Sequence, residues 1–216
     1  MRIDIYSDTV CPWCYLGKRR FELALAARPQ YEPRVTWRPF ELNPDLPPEG
    51  VELAPYLAAR MGGPERVAQA HAELKRHGEA SGIEFRFDLM KRMPNTRRSH
   101  LLMAHAARAG RQAAVKDRVM RAYFEEGCDI GDIEVLVQLA AEAGLAEHES
   151  RSALILRAGQ DGVIAAERHA TVLGITGVPT FVFDGKYTIS GAQEVGTFAQ
   201  VFDQVADIAA ARDAVS

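Results

Sequence analysis

The 216-residue chain is longer than the commonest single domain yet short of two full domains of roughly 150 residues each, so one domain with a large insertion is the expected plan. With 47% hydrophobic and 25% charged residues, a sizeable core can form without metal or disulfide staples. The formal net charge of -3 gives no broad basic field and no run approaches about 18 apolar residues, which argues against nucleic acid or membrane as a partner.

Residues 2–7 alternate polar and apolar, as a strand does, and lack the apolar run of a secretory signal, so the cytoplasm is the expected address. From Val10-Cys11-Pro12 the pattern turns helical, with Leu16, Arg20, Leu23 and Ala27 on successive turns. Pro29 and Pro33 end that helix, and residues 35–40 read as a second strand with Pro39 at an edge or strand end. The turn formers Asn43-Pro44, Pro47-Pro48 and Glu49-Gly50 then mark a junction.

Helical spacing runs almost throughout residues 53–173, broken at Gly62-Gly63-Pro64, Ser81-Gly82, Met93-Pro94-Asn95, Gly110, Gly131 and Gly144. Segments 97–109, 113–126, 133–143 and 148–157 suit an antiparallel bundle, and residues 162–173 lead the chain back. Residues 180–183 read as a strand, Asp184-Gly185 as a tight turn, residues 187–189 as the partner strand, and residues 194–211 as a last helix. The expected class is therefore α/β. Residues 1–45 and 175–216 would form a βαβ…ββα sheet compatible with a thioredoxin-like core, and residues 46–174 an inserted all-helical domain.

Only Cys11, Cys14 and Cys128 carry thiols, and in a reducing compartment a close pair is catalytic or metal-binding rather than structural. Cys11 falls where strand becomes helix, with Pro12 at the first helical position. There the free N–H groups and the positive dipole end would favour a Cys11 thiolate, making it the nucleophile. Cys14, one turn inward on the same face, would attack a mixed disulfide at Cys11 and so act as the resolving thiol. The spacing alone also fits half a zinc site or an inert buried pair, but no second such pair or Cys/His cluster completes a metal site. No charge lies between the two cysteines, and Asp8 nearby would oppose a thiolate.

In Gly177-Val178-Pro179-Thr180, a cis Val178–Pro179 bond would present the Val178 backbone to an extended peptide beside Cys11, although about 5–6% of such bonds are cis in folded proteins and the dipeptide alone predicts trans. Trp13 and Tyr15 suit either an apolar platform for substrate or packing at the junction. Thr96 reads as a helix N-cap, and His100 either faces the thiols and shuttles protons or packs in the helix. Arg97 and Arg98 would line a cleft or begin a solvated helix. Cys128 reads as a bystander, though it leaves a homodimer open by pairing two chains. His71, His77, His105, His148 and His169 show no metal-ligand spacing and are assigned to solvated faces.

Taken together, Cys11-Pro12-Trp13-Cys14-Tyr15-Leu16-Gly17, the segment Trp37 to Pro44 and Gly177-Val178-Pro179-Thr180-Phe181 resemble the DsbA-family oxidoreductases of the FrnE type. Similar further motifs are Met93-Pro94-Asn95-Thr96 with His100, Tyr123 to Gly127 with Asp129-Ile130, and residues 189–193. The resemblance implies a thioredoxin fold with a helical insertion, catalysis by Cys11 and Cys14 on protein or small-thiol disulfides, and a cis proline at Pro179. Val178, Pro179, Trp13 and His100 are then the substrate-side candidates. No metal or bound cofactor is implied, glutathione being a candidate only as thiol co-substrate.

Kappa-class glutathione transferases and hydroxychromene-carboxylate isomerases share the fold but use a serine where this chain has Cys11. Gly191-Ala192-Gln193 also departs from their Gly-x-Asp-Arg segment. A glutathione-dependent transferase or isomerase is therefore the alternative, and a non-catalytic peptide-binding adaptor a third reading.

Overall fold

The computed structural model describes residues 1–213. Strand β1 (Arg2–Ser7) leads into α1 (Pro12–Ala26), which returns the chain to β2 (Arg34–Pro39), parallel to β1 with Ile5 opposite Trp37. Near the other end, β5 (Thr180–Phe183) pairs antiparallel with β1, and β6 (Tyr187–Ser190) with β5, giving the sheet order β2-β1-β5-β6. Asp184 and Gly185, with φ of 50° and 70°, turn the last hairpin, and α9 (Val195–Asp213) closes the described chain. This is the thioredoxin fold expected from the βαβ and ββα order.

Why β1 lies in the middle follows from its composition: it is buried on both faces, with Ile3 and Ile5 at 0% exposure. One sheet face packs α1 and α9 through an aromatic cluster in which Phe21 stacks on Phe181 at 5.5 Å and meets Phe202 edge-on at 5.4 Å. The other face buries Tyr6 and Val182 against Ala170 of α8 (Gln160–Val172).

Between the halves of the sheet run α2 (Leu53–Met61), α3 (Pro64–Glu79), α4 (Arg97–Arg108), α5 (Gln112–Phe124), α6 (Ile133–Glu142) and α7 (Glu147–Ile155) before α8. Their apolar faces form a second buried cluster that takes in Cys11, Cys14, Tyr15 and Leu16 at the start of α1, while Phe21 and Ala24 further along α1 belong to the first, so this helix is built into both cores.

Two features escaped the helical reading of this segment. A short antiparallel pair joins β3 (Val51–Glu52) to β4 (Arg92–Met93). Residues 83–88 are not helical: Ile83, Phe85 and Phe87 are buried while Glu84 and Asp88 are exposed, a period of two rather than 3.6.

Thr96 does stand at the N-cap of α4 but makes no capping bond; Asn95 Oδ1 accepts the Arg97 N–H at 3.0 Å instead. The Thr96 hydroxyl instead helps to lower the buried Asp8 carboxyl. Nor do all the remaining histidines lie on solvated faces. His71 is half-buried with its ring stacked on Phe87 at 4.0 Å, and His77 sits within reach of Arg20 at 3.2 Å. Their apolar or charged neighbours on adjacent elements hold them in.

Candidate active site

Cys11 is the N-cap of α1 in extended conformation, φ -89° and ψ 112°, and its carbonyl accepts the Cys14 and Tyr15 N–H groups at 3.0 and 3.2 Å. This fixes the first turn around both cysteines, which are free thiols at 5% and 0% exposure. Across the cleft the Val178–Pro179 bond is cis, and the Cys11 thiol points at the Val178 carbonyl oxygen, 3.8 Å away. Gly17 makes this approach possible: a Cβ there would lie 2.9 Å from Pro179 Cγ and 3.3 Å from Ala192 Cα. Residues far apart in sequence thus meet at the start of one helix.

Groups beyond the helix end also act on the two thiols. Cys11 Sγ makes no capping bond with the helix. The hydrogen bond it shares with Cys14, then burial, then the charges of Cys14 and Asp8, hold the Cys11 thiol well above the ordinary range. Burial opposes ionisation of Cys14 too, but the bond from Cys11, the charge of Lys116 and the Ser7 hydroxyl outweigh it and lower the Cys14 thiol. The two thiols thus titrate as one coupled pair, in which Asp8 opposes and Lys116 favours the negative charge.

Lys116 was not among the residues the sequence singled out. It sits on α5 at 1% exposure, its ammonium 5.5 Å from the centre of the Trp37 ring rather than on a carboxylate. Burial pulls it down to about 8 against the attraction of Cys14 and Asp8. Lys116→Met removes the buried cation that supports the thiolate. The Cys14 thiol should then titrate about one unit higher, and the reduction potential should fall by about 30 mV, the equivalent of about 1.4 kcal/mol. Thiolate absorbance against pH and a glutathione redox titration measure both; unchanged values would remove Lys116 from the site.

Behind Cys11 lies Asp8, fully buried. Its Oδ1 accepts the Thr9 N–H and its Oδ2 the Leu42 N–H, each at 2.7 Å, while His100 Nε2 lies 3.2 Å from Oδ1. Burial alone would raise its carboxyl; the bond and charge of His100, with the Leu42 and Thr96 donors, lower it below the carboxylate range. His100 is itself 2% exposed and reaches the thiols through Asp8 rather than from the cleft surface. Trp13, at 38%, is the exposed aromatic of the motif. Tyr15 is packing: it stacks on Phe124 at 5.6 Å and donates to Glu125 Oε1 at 2.5 Å.

Arg97 turns back from α4 to pair with Glu41 at 2.7 Å and Glu167 at 3.1 Å, and Arg98 donates to the Gly131 carbonyl at 2.8 Å, so neither begins a solvated helix. Glu41 Oε1 and Glu167 Oε1 are buried without a hydrogen-bond partner. Burial and then the Glu167 charge lift the Glu41 carboxyl to about 7, against His100 and Arg97. Because the folded state holds this proton more tightly than the unfolded chain, its contribution to stability is complete below the ordinary carboxylate pKa and is lost as pH rises to about 7. Wild type should lose about 2 kcal/mol relative to Glu41→Gln between pH 5 and pH 7, as read from urea midpoints.

Cys128 is half-buried, and burial with the Glu126 charge raises its thiol, which suits a bystander. No metal-binding group of three or more His, Cys, Asp or Glu occurs among the described residues. None of their helices is long and apolar enough to cross a membrane.

A family model, the DSBA-like thioredoxin domain, matches residues 2–203. The chain is 34% identical over 193 residues to the uncharacterised protein YwbO of Bacillus subtilis (strain 168), covering 89% of this chain and 90% of that one. Its structure is similar to the crystal structure of the probable DsbA oxidoreductase SCO1869 of Streptomyces coelicolor, with a TM-score of 0.89 and 38% identity over 95% of this chain and 89% of the other. At 20% identity it shares the fold of the cytosolic disulfide reductase DsbM of Pseudomonas aeruginosa, solved with GSH, with a TM-score of 0.66 over 99% and 100% of the two chains.

Proposed function

The chain belongs to the DSBA-like thioredoxin domain family, and on that premise we propose that it is a thiol–disulfide oxidoreductase in which Cys11 is the nucleophile and Cys14 the resolving thiol. The observation that carries this reading is the placement of two free, adjoining thiols at the start of α1, the outer one turned to the Val178 carbonyl across the cleft.

In the reducing direction, Cys11 hands its proton to Cys14 as its sulfur bonds to one sulfur of the substrate, and the other substrate sulfur leaves as a thiolate. Cys14 then gives up that proton to the departing thiolate and attacks Cys11 Sγ, forming the Cys11–Cys14 disulfide and expelling the second thiolate. The enzyme dithiol loses two electrons and the substrate disulfide gains them. Run backwards, the same steps oxidise a substrate dithiol.

The Val178 carbonyl accepts only the long Cys11 S–H contact at 3.8 Å and keeps a lone pair for an extended peptide chain, which supports Val178 and Pro179 as the docking edge for protein disulfides. Exposed Trp13 supplies an apolar flank. His100, through Asp8, sets the charge beside Cys11 and is a positioning residue. Glutathione is the candidate co-substrate that returns the pair to its dithiol form, and a reducing cytoplasm the proposed setting.

Equilibration in glutathione buffers, followed by alkylation and intact-mass analysis, tests the reading. The expected product is a reversible Cys11–Cys14 disulfide with one alkylated thiol, Cys128. A lasting glutathione adduct without that disulfide would replace the reading with a glutathione transferase or isomerase.

A further inference from the structure

We propose that a cavity beside the cysteine motif binds the organic half of a small disulfide, an aromatic group of one to two rings carrying a carboxylate, and so selects such substrates over polar ones. This rests on the thiol–disulfide exchange proposed for Cys11.

The cavity, about 280 Å³, has Val10, Pro12 and Trp13 for one wall, the residues that bracket Cys11. Leu53, Leu57 and Leu74 of α2 and α3 are among those facing them. A dry cavity of roughly 150 Å³ holds benzene, so this one has room for one to two rings.

Its tyrosine hydroxyls are already engaged. The Tyr56 hydroxyl donates to Asn43 Oδ1 at 2.6 Å, the Tyr123 hydroxyl donates to the Arg92 carbonyl at 3.0 Å, and His71 is stacked flat on Phe87. Burial and the Lys75 charge lower the His71 pKa, so its ring is neutral near pH 7. The interior is thus mainly apolar and favours an apolar ligand over a polar one.

Charge sets the other end. No aspartate or glutamate lines the cavity, and its single charged wall residue is Arg60, exposed at the mouth. The Arg60 guanidinium lies 5.7 Å from the centre of the Tyr56 ring and donates to the Tyr56 hydroxyl at 3.3 Å; it joins no ion pair among the described residues. A planar cation without a carboxylate partner, at the rim of an apolar cavity, complements a ligand with a ring system inside and a carboxylate at the opening. The Val178 edge, on which a polypeptide would pair, belongs to a different surface of the cleft.

For such a disulfide the electrons balance as in the general cycle. Cys11 bonds to one aryl sulfur as the other leaves, Cys14 displaces the second, and two arylthiols leave as the enzyme disulfide forms.

The test compares rates of the reduced protein with dithiobis(nitrobenzoate), an aromatic carboxylate disulfide, with neutral dipyridyl disulfide and with hydroxyethyl disulfide. Dithiobis(nitrobenzoate) should show saturation, and Arg60→Ala should raise its half-saturating concentration about tenfold without doing so for dipyridyl disulfide. Ala70→Trp, which fills the cavity, should lower the ratio of aryl to hydroxyethyl rates at least about tenfold for both aryl probes. Aryl rates that stay linear in concentration and indifferent to both substitutions, with hydroxyethyl exchange intact, would overturn the cavity proposal and leave the oxidoreductase reading standing. No exchange with any of the three probes would bring down both. Slowing of a cysteine-containing unfolded peptide by Ala70→Trp, with the aryl probes unaffected, would give the cavity to a protein side chain and overturn the proposal.

Discussion

Cys14→Ser should arrest exchange at a mixed disulfide on Cys11, visible as a covalent adduct on a non-reducing gel, whereas Cys11→Ser should form no adduct at all. Each variant should lose at least about a thousandfold in turnover, or about 4 kcal/mol of transition-state stabilisation. The asymmetry comes from position: Cys11 faces the Val178 carbonyl at 3.8 Å and retains 5% exposure, while Cys14 is sealed at 0% one turn inside the helix. A serine at position 11 has neither the nucleophilicity nor the leaving ability of a thiol, and a serine at position 14 cannot displace the substrate. Equal activity in the two variants would remove the scheme. Full turnover in Cys14→Ser alone would point to single-cysteine glutathione chemistry.

The strand, turn and helix that hold the motif were legible because their signals are local: alternation in residues 2–7, Pro12 at the first helical position and apolar residues one turn apart in α1. The meeting of Cys11 with Val178 is a contact across 167 positions, which the sequence offers only on condition of a cis bond that the dipeptide alone does not predict and the resemblance to known oxidoreductases implies. Lys116 was invisible for a related reason. A lysine between Val115 and Asp117 reads as a solvated helix position, and it becomes a buried cation only because α5 packs over Trp37 on β2. Ionisation of the thiol pair depends on that lysine and on Asp8 as well as on helix position, the one term available from sequence. Arg97 and Glu41 show the same limit: two charges in separate segments that pair at 2.7 Å, with Glu167 from a third segment 3.1 Å from Arg97.

Asp8→Ala should cost about 3–5 kcal/mol of stability in a urea titration, since it leaves His100 and the Thr9 and Leu42 N–H groups buried beside an empty site. Asp8→Asn, which keeps the shape and one acceptor, should cost less while still removing the charge. That separation matters because Asp8 does two opposed things. Its hydrogen bonds fasten the end of β1 to the segment after β2 and to α4, holding the ground under Cys11, and its charge makes the Cys11 thiolate less favourable. Asp8→Asn should therefore lower the Cys11 thiol titration and speed alkylation by iodoacetamide, even as the protein loses stability. The pH dependence has a fixed sign. The folded carboxyl is lowered, so its contribution is complete above the ordinary aspartate pKa and is lost as pH falls through the folded value. Wild type should thus lose its advantage over Asp8→Asn in acid. An advantage that persisted in acid would mean that the carboxyl's hydrogen-bonding pattern, and not its charge, holds this part of the site together.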